Sequence, residues 1–168
     1  MTGNFKEDLT NIKAFVFDVD GVLAKQTLYL HPTGEFMQSV NTKDGFIMQY
    51  AIKKGYQIGI ITGGNIESMK KRFLNLGLEH IYMASKDKIA DFNDFLAKTD
   101  IKKEEILYMG DDIPDLEVMK IVGMPTCPAD AVPEIKNISK YISIYKGGES
   151  CVRDVIEQVL RVQGNWSF

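Results

Sequence analysis

The sequence predicts an α/β fold, in which a doubly wound, mostly parallel sheet has helices on both faces. Two observations predict it: short apolar runs recur along the chain, and segments with helical spacing of apolar residues lie between them. The chain has 168 residues, of which 45% are hydrophobic and 26% charged, a composition typical of globular proteins. A chain of this length buries enough surface to fold without disulfides or a structural metal. We therefore expect residues 1–168 to form a single domain.

The elements follow one another in a regular order. The apolar runs are short and lack polar alternation, which favours strands buried on both faces; they lie at 14–17, 58–61, 81–83, 106–109 and 141–145. Helical spacing predicts helices at 44–54, 65–76, 87–98, 113–122, 130–138 and 150–163. Segment 27–40 differs, because two alternating stretches flank Pro32 and Gly34. This pattern predicts a β-hairpin, and we call residues 24–41 the hairpin flap.

The composition excludes several kinds of partner. Twenty basic and 23 acidic residues give a net charge of −3, so the chain has no general attraction for nucleic acid or an anionic membrane. No apolar run approaches the ~18–20 residues of a membrane span. The opening segment, MTGNFKEDLTNIK, carries charges where a signal peptide would be apolar. We therefore expect a cytoplasmic protein that binds neither nucleic acid nor a membrane.

Carboxylates follow two of the predicted strands. Asp18 and Asp20 end the first strand, and Asp111, Asp112 and Asp115 follow the fourth. Asp112 is expected to cap the next helix and Asp115 to be an acid of its first turn, whereas no such structural role is predicted for Asp111. Ligands of parallel α/β sheets bind beyond the carboxyl ends of the strands. Oxygen ligands at this edge favour a hard cation, and next to a phosphate that cation is magnesium.

The two strands between them end in groups that suit an anion. Thr62 is followed by Gly63 and Gly64, whose backbone N–H groups are expected to open a helix and form an anion cradle. Lys88 opens the next helix, where a lysine opposes the helix dipole but is well placed to meet a phosphate. Taken singly, each of these is an ordinary turn or surface residue. Together with the acids they predict a phosphate site from Thr62, Gly63 and Lys88 beside a magnesium site.

Asp18, Thr62, Lys88 and Asp111 occur in an order and spacing that resemble the four motifs of the haloacid dehalogenase superfamily of phosphotransferases. The resemblance implies that Asp18 is the nucleophile and forms an aspartyl phosphate. It implies that Asp20 protonates the leaving oxygen and then deprotonates the attacking water. It also implies that Asp18, the Asp20 carbonyl and Asp111 hold magnesium, while Thr62 and Lys88 bind the phosphoryl group.

Smaller features are similar to one family within that superfamily, the 3-deoxy-D-manno-octulosonate 8-phosphate phosphatases, which are tetrameric magnesium-dependent enzymes of lipopolysaccharide precursor synthesis. They lie at 41–45, 110–123, 129–131, 147–148 and 152–154. The resemblance implies that the substrate contacts include Asn41, Thr42, Lys43, Asp44, Gly45 and Arg72. Gly64 stands where this family usually has arginine, and Glu149-Ser150-Cys151 interrupts its usual tail motif. A relative acts on a nine-carbon 2-keto-3-deoxy acid 9-phosphate, so that substrate stays open as well.

Spacing also bears on assembly. The segments between Asp20 and Thr62, and between Thr62 and Lys88, are too short for the large cap domains that other members of the superfamily insert there. We expect a neighbouring subunit to cover the open site, in a homotetramer with active sites at subunit boundaries, and Arg72 to reach the substrate carboxylate of a neighbouring site. Gly147 and Gly148 are expected to be flexible. Residues 164–168, or the glycine pair, are expected to reach a neighbour's site and help close it over the substrate. The alternative for residues 164–168 is that Trp166 and Phe168 pack on their own subunit.

Two other functional classes remain open at this point. A phosphoacceptor signalling domain also uses aspartates, a hydroxyl, a lysine and magnesium, although its phosphoacceptor follows a later strand than Asp18 does. A binding module that has lost turnover would keep the same fold. Turnover of a generic aryl phosphate separates these classes from a phosphatase.

Overall fold

The computed structural model describes residues 5–168 and contains a six-stranded sheet and a separate hairpin. The strands in chain order are β1 Ala14–Phe17, β2 Tyr29–Leu30, β3 Phe36–Met37, β4 Gln57–Ile61, β5 His80–Tyr82, β6 Ile106–Met109, β7 Met124–Cys127 and β8 Tyr141–Ile142. The helices are α1 Phe5–Leu9, α2 Thr42–Lys53, α3 Glu67–Asn75, α4 Lys88–Thr99, α5 Leu116–Met119, α6 Pro133–Ile138 and α7 Cys151–Val162. Short 3₁₀ turns span Lys103–Glu105 and Ile113–Asp115.

The large sheet has the order β5-β4-β1-β6-β7-β8, and each pair of neighbouring strands is parallel. This confirms the predicted doubly wound α/β fold. Strand β1 lies near the middle of the sheet, and its side chains alternate between the two faces. Phe15 and Phe17 pack with α1, α2, α3 and α7, whereas Ala14 and Val16 pack with α4, α5 and α6. No helix within residues 5–168 has the length and apolar character needed to span a membrane.

The structure corrects several predicted bounds. Strand β7 was not predicted, because its four residues include Pro125, which cannot donate a ladder hydrogen bond. The predicted helix 113–122 is a 3₁₀ turn followed by the four-residue α5, and Pro114 stands in that turn. The helix predicted from residue 65 begins at Glu67, and the strand predicted at 141–145 ends at Ile142. The hairpin is confirmed, since β2 and β3 pair antiparallel.

The glycine pair before α7 makes a close backbone contact with the loop that follows β1. The Gly148 N–H donates to the Val22 carbonyl at 2.7 Å, and the Gly147 N–H donates to Asp130 Oδ1 at 2.9 Å. A Cβ atom on Gly147 would lie 1.9 Å from the Gly21 carbonyl oxygen, so only glycine fits there. The expectation of a flexible connection is therefore wrong.

The last residues pack on their own chain. Trp166 meets the ring of Tyr50 on α2 edge-on, with the ring centroids 5.8 Å apart. Phe168 lies 4.9 Å from the same ring, and the Tyr50 hydroxyl donates to the Asn165 carbonyl at 3.1 Å. Of the two placements that the sequence left open for residues 164–168, the structure shows packing against α2.

Candidate active site

A pocket of about 880 Å³ opens at the carboxyl ends of the central strands. Its lining includes Asp18 and Asp20 after β1, Gly63 after β4, Lys88 at the start of α4 and Asp111 after β6. The topology explains this meeting, because the carboxyl ends of neighbouring parallel strands share one edge of the sheet. Residues from all four predicted strand ends therefore lie around one cavity, although Thr62 itself is buried and does not line it.

A buried ion cluster forms the floor of the pocket. The Lys88 Nζ lies 3.0 Å from Asp18 Oδ1 and 2.6 Å from Asp115 Oδ1. The Tyr108 hydroxyl donates to the same Asp115 oxygen at 2.7 Å, and the Asp111 N–H donates to Asp115 Oδ2 at 3.2 Å. Asp115 is an acid of the first turn, as expected, and it is also buried, where it holds Lys88 and the backbone of Asp111. Asp112 caps the 3₁₀ turn as expected, by accepting from the Ile113 N–H.

Burial dominates the electrostatics of this cluster. Burial, with the charge of Asp115, raises the pKa of Asp18 to about 8 despite the opposing effect of Lys88. Burial also raises the pKa of Asp111 to about 6. Burial by itself would lower the pKa of Lys88, but Asp18 and Asp115 outweigh it and leave that pKa raised. The carboxylates are therefore poorly compensated by the single lysine, and a further cation would favour their charged forms.

The donor set fits magnesium. One carboxylate oxygen from each of Asp18, Asp111 and Asp115 lies within 4.8 Å of the others. Both oxygens of Asp115 already accept hydrogen bonds from the protein, which leaves Asp18 and Asp111 as the carboxylates suited to a direct bond to the ion. Hard oxygen donors at a phosphate pocket select Mg²⁺ over softer metals. The carboxylate of Asp20 is not part of this group, and its Oδ1 accepts a hydrogen bond from Gln38.

The predicted phosphate loop is only partly as expected. Thr62 is buried, and its Oγ1 accepts from the Gly64 N–H at 3.1 Å, so its hydroxyl proton is directed elsewhere. Helix α3 begins at Glu67, so the glycines form a separate turn and do not open the helix. At the start of α4 the Asp87 side chain accepts from the N–H groups of Ile89 and Ala90. Lys88, not the free N–H groups of α4, is therefore the donor that this element offers to an anion.

The predicted substrate residues at 41–45 and Arg72 do not line this pocket within residues 5–168 of one chain. Asn41 caps α2 and donates to the Gly148 carbonyl and to Ser150 Oγ, both at 3.2 Å. Asp44 is buried and accepts from the Arg153 N–H of α7 at 2.8 Å.

The remaining members of that set lie near α3 or at the surface. A Cβ atom on Gly45 would lie 2.7 Å from Arg72 Nη2, so the glycine leaves room for that guanidinium between α2 and α3. Thr42 and Lys43 are exposed. These two are therefore accessible from outside the chain, as in part are the half-buried Asn41 and Arg72.

Sequence reasoning missed two glutamines of the hairpin flap. Gln26 Nε2 donates to Asp111 Oδ2 at 2.8 Å, and Gln38 Nε2 donates to Asp20 Oδ1. Neither residue belongs to a pattern that marks a site, because each reaches its partner only after the flap folds back over the strand ends. Ser85, which lines the pocket, has a buried hydroxyl with no hydrogen-bond partner in the described part of the chain.

Comparison with known proteins gives one consistent family. Residues 78–155 match the haloacid dehalogenase-like hydrolase family. The chain is 34% identical over 154 residues to the 3-deoxy-D-manno-octulosonate 8-phosphate phosphatase of Escherichia coli strain K12, a match that covers 92% of this chain and 82% of that protein. The Yersinia pestis phosphatase of the same name is 33% identical over 153 residues, covering 91% of this chain and 82% of the relative.

Solved structures give the same result. A crystal structure of the Yersinia pestis phosphatase superimposes with a TM-score of 0.93 at 31% identity, covering 95% of this chain and 86% of that one. The Moraxella catarrhalis phosphatase, solved with a magnesium ion, a phosphate ion and a KDO molecule, superimposes with a TM-score of 0.91 at 29% identity, covering 95% and 92%.

Proposed function

Because the chain belongs to the haloacid dehalogenase-like hydrolases, we propose that it is a magnesium-dependent phosphatase of 3-deoxy-D-manno-octulosonate 8-phosphate, which it hydrolyses to the free sugar acid and phosphate. Such a phosphoric monoester hydrolase would act in lipopolysaccharide precursor synthesis, and we propose a cytoplasmic location for it. The observation that carries the proposal is the buried cluster of Asp18, Lys88, Asp111 and Asp115 at the floor of the pocket.

The proposed reaction proceeds through an aspartyl phosphate on Asp18. A carboxylate oxygen of Asp18 bonds to phosphorus while the bond from phosphorus to the sugar oxygen breaks, and Asp20 gives that oxygen a proton. Water then attacks the phosphoryl group, Asp20 takes a proton from the water, and the carboxylate of Asp18 is restored. The order of events requires Asp18 to be charged when the substrate binds, which its burial opposes and a nearby cation favours.

The other residues supply charge and position. Magnesium held by Asp18, Asp111 and the Asp20 carbonyl would neutralise the negative charge shared by nucleophile and phosphate. Lys88, Thr62 and the Gly63 backbone are proposed to bind the phosphoryl oxygens. Lys88 is suited to this because Asp115 holds its ammonium group 3.0 Å from the nucleophile.

We propose further that the chain forms a homotetramer in which sites lie at subunit boundaries. The hairpin flap exposes apolar side chains, with Leu30 76% and Tyr29 56% accessible, and an isolated two-stranded ribbon is only marginally stable in water. Thr42, Lys43 and Arg72 do not line the pocket of their own chain and are proposed to contact the sugar acid in a neighbouring subunit's site. The start of α2 is supported by its contacts with the rest of the chain. Asn41 donates to Gly148 and Ser150 just before α7, and Asp44 accepts from α7. Gly45 lies close to Arg72 of α3.

The test is phosphate release from purified protein. We expect turnover of 3-deoxy-D-manno-octulosonate 8-phosphate with Mg²⁺, a lower kcat/KM for the nine-carbon 9-phosphate and for 4-nitrophenyl phosphate, and no turnover in excess chelator. The matched control is Asp18→Asn, which keeps the size of the side chain and should remain folded without activity. Full activity of Asp18→Asn, or of the wild type in chelator, would contradict the mechanism. A higher kcat/KM for the nine-carbon ester would change the proposed substrate.

A further inference from the structure

The hairpin flap is attached to the catalytic carboxylates by side-chain amides. Its strands β2 and β3 pair only with each other, and their side chains are exposed. Yet Gln38, one residue beyond β3, turns inward, is partly buried and donates to Asp20 Oδ1. The flap is therefore not merely a projecting ribbon, because its position determines one contact of the proposed acid and base.

This contact distinguishes the two oxygens of Asp20. An amide N–H can only donate, and Gln38 donates to Oδ1, which leaves Oδ2 without a hydrogen bond from Gln38. The other oxygen faces the phosphate loop: a Cβ atom on Gly64 would lie 3.2 Å from Asp20 Oδ2 and 3.4 Å from Thr62 Oγ1. Oδ2 therefore points to the side of the pocket where the phosphoryl group is expected.

We propose that Gln38 is a positioning residue, which fixes Oδ1 of Asp20 so that Oδ2 carries the proton delivered to the leaving oxygen. The inference rests on the proposed phosphatase function. In the first step the proton moves from Oδ2 to the sugar oxygen as its bond to phosphorus breaks, and in the second Oδ2 takes a proton from the attacking water. Without Gln38 the carboxyl group rotates, and the proton is no longer held in line with the leaving oxygen.

The test compares leaving groups in Gln38→Leu. The kcat/KM value reports only steps up to departure of the leaving group, so it isolates the role of Asp20 as an acid. A sugar phosphate has a poor leaving group that needs the proton, whereas 4-nitrophenolate leaves without one. General acid catalysis contributes about 10²–10⁴-fold. We therefore expect kcat/KM to fall about 10- to 100-fold for the sugar acid phosphate, as part of that factor, and less than about threefold for 4-nitrophenyl phosphate.

Two controls separate this role from general loosening of the flap. Thr33→Ala removes the hydrogen bond between Thr33 Oγ1 and His31 Nδ1 in the hairpin turn without touching Asp20, and should change kcat/KM for both esters by the same factor. Gln57→Leu makes the same substitution at an exposed position at the amino end of β4, and should leave both values unchanged. If Gln38→Leu does not fold, as judged by circular dichroism, the unbranched Gln38→Met replaces it.

The outcomes distinguish the inference from the function on which it rests. A selective loss with the sugar phosphate supports a positioning role for Gln38. An equal loss with both esters, or no loss, would overturn it while leaving the phosphatase assignment intact. If the wild type turns over neither the sugar acid phosphate nor 4-nitrophenyl phosphate, the proposed function itself is overturned.

Discussion

Replacing Gly147 with alanine tests whether the glycine pair before α7 fixes the geometry of the loop that follows β1. The added Cβ would lie 1.9 Å from the Gly21 carbonyl oxygen, whereas ordinary contact begins at 3.4 Å. The two backbone segments must therefore separate by 3.4 − 1.9 = 1.5 Å. Neither segment can yield freely, since the Gly148 N–H is bonded to the Val22 carbonyl and the Gly147 N–H to Asp130.

The expected losses follow from that displacement. Overpacking of this kind costs about 1–3 kcal/mol of unfolding free energy, which lowers Tm by roughly 2–4 °C per kcal/mol in a chain of this size. Gly21 directly follows Asp20, so movement of its carbonyl shifts the proposed acid and base. A misplacement of ~1 Å costs on the order of 100-fold in rate, and we expect a loss of that order in kcat/KM.

The assay is thermal unfolding together with phosphate release by Gly147→Ala. The control is Gly164→Ala, because Gly164 has a positive φ of 72° with open space around it. That variant should lose about 1 kcal/mol of stability through backbone strain and keep its activity. Wild-type Tm and kcat/KM in Gly147→Ala would refute the reasoning, and an equal activity loss in the control would show that stability alone is responsible.

Three further predictions concern the ion cluster, a buried acid and the tail. Asp111→Asn should raise the Mg²⁺ concentration for half-maximal activity more than Asp115→Asn does, as metal titration would show. Asp115→Asn should lower Tm more in thermal unfolding, because breaking a buried pair costs about 3–5 kcal/mol. The reverse order would contradict the ligand assignment. Burial raises the pKa of the Asp44 carboxyl group to about 6 from its usual 3.8. Between these two pH values the folded chain keeps a proton that the unfolded chain has released. The free energy of unfolding that this proton contributes is lost as the pH rises through 6. Denaturant unfolding should therefore show the stability of the wild type relative to Asp44→Asn falling by about 2–3 kcal/mol between roughly pH 4 and 7.5; a constant difference would contradict it. Deleting residues 164–168 should lower Tm, since the tail packs on Tyr50, and leave kcat/KM within about threefold in a phosphate-release assay; a larger loss would indicate a role in a neighbouring site.

The sequence predicted the elements whose signal is local. Strands β1 and β6 have the predicted bounds, because each is an unbroken apolar run buried on both faces. Strand β7 carries no such signal, since Pro125 lies within it and only the neighbouring strands show that its residues belong to the sheet. Helix α5 is shorter than predicted because the chain follows the 3₁₀ turn at Pro114 before it becomes helical.

The residues of the candidate site likewise fall into those that a local sequence signal predicted and those that it did not. Asp18, Lys88 and Asp111 were found because each follows a strand, and parallel topology brings strand ends together. Gln38 and Gly147 were missed or misread, because their contacts join segments whose approach no local pattern specifies. The sequence does not show why residue 147 must be glycine, because the reason is its close approach to the Gly21 carbonyl in the folded chain.

The contact between the last loop and the first has a consequence for biosynthesis. The ribosome makes the Asp18 loop before the segment that supports it. Gly148, whose N–H donates to the Val22 carbonyl, is added 126 residues after Val22. Helix α7, which packs on α1 and α2, is made later still. A nascent chain can thus form the β1 to β4 pairing before its nucleophile loop has its final support. Translation that stops short of residue 147 should therefore yield an inactive chain, because the backbone contact that supports the Asp18 loop has not yet been made.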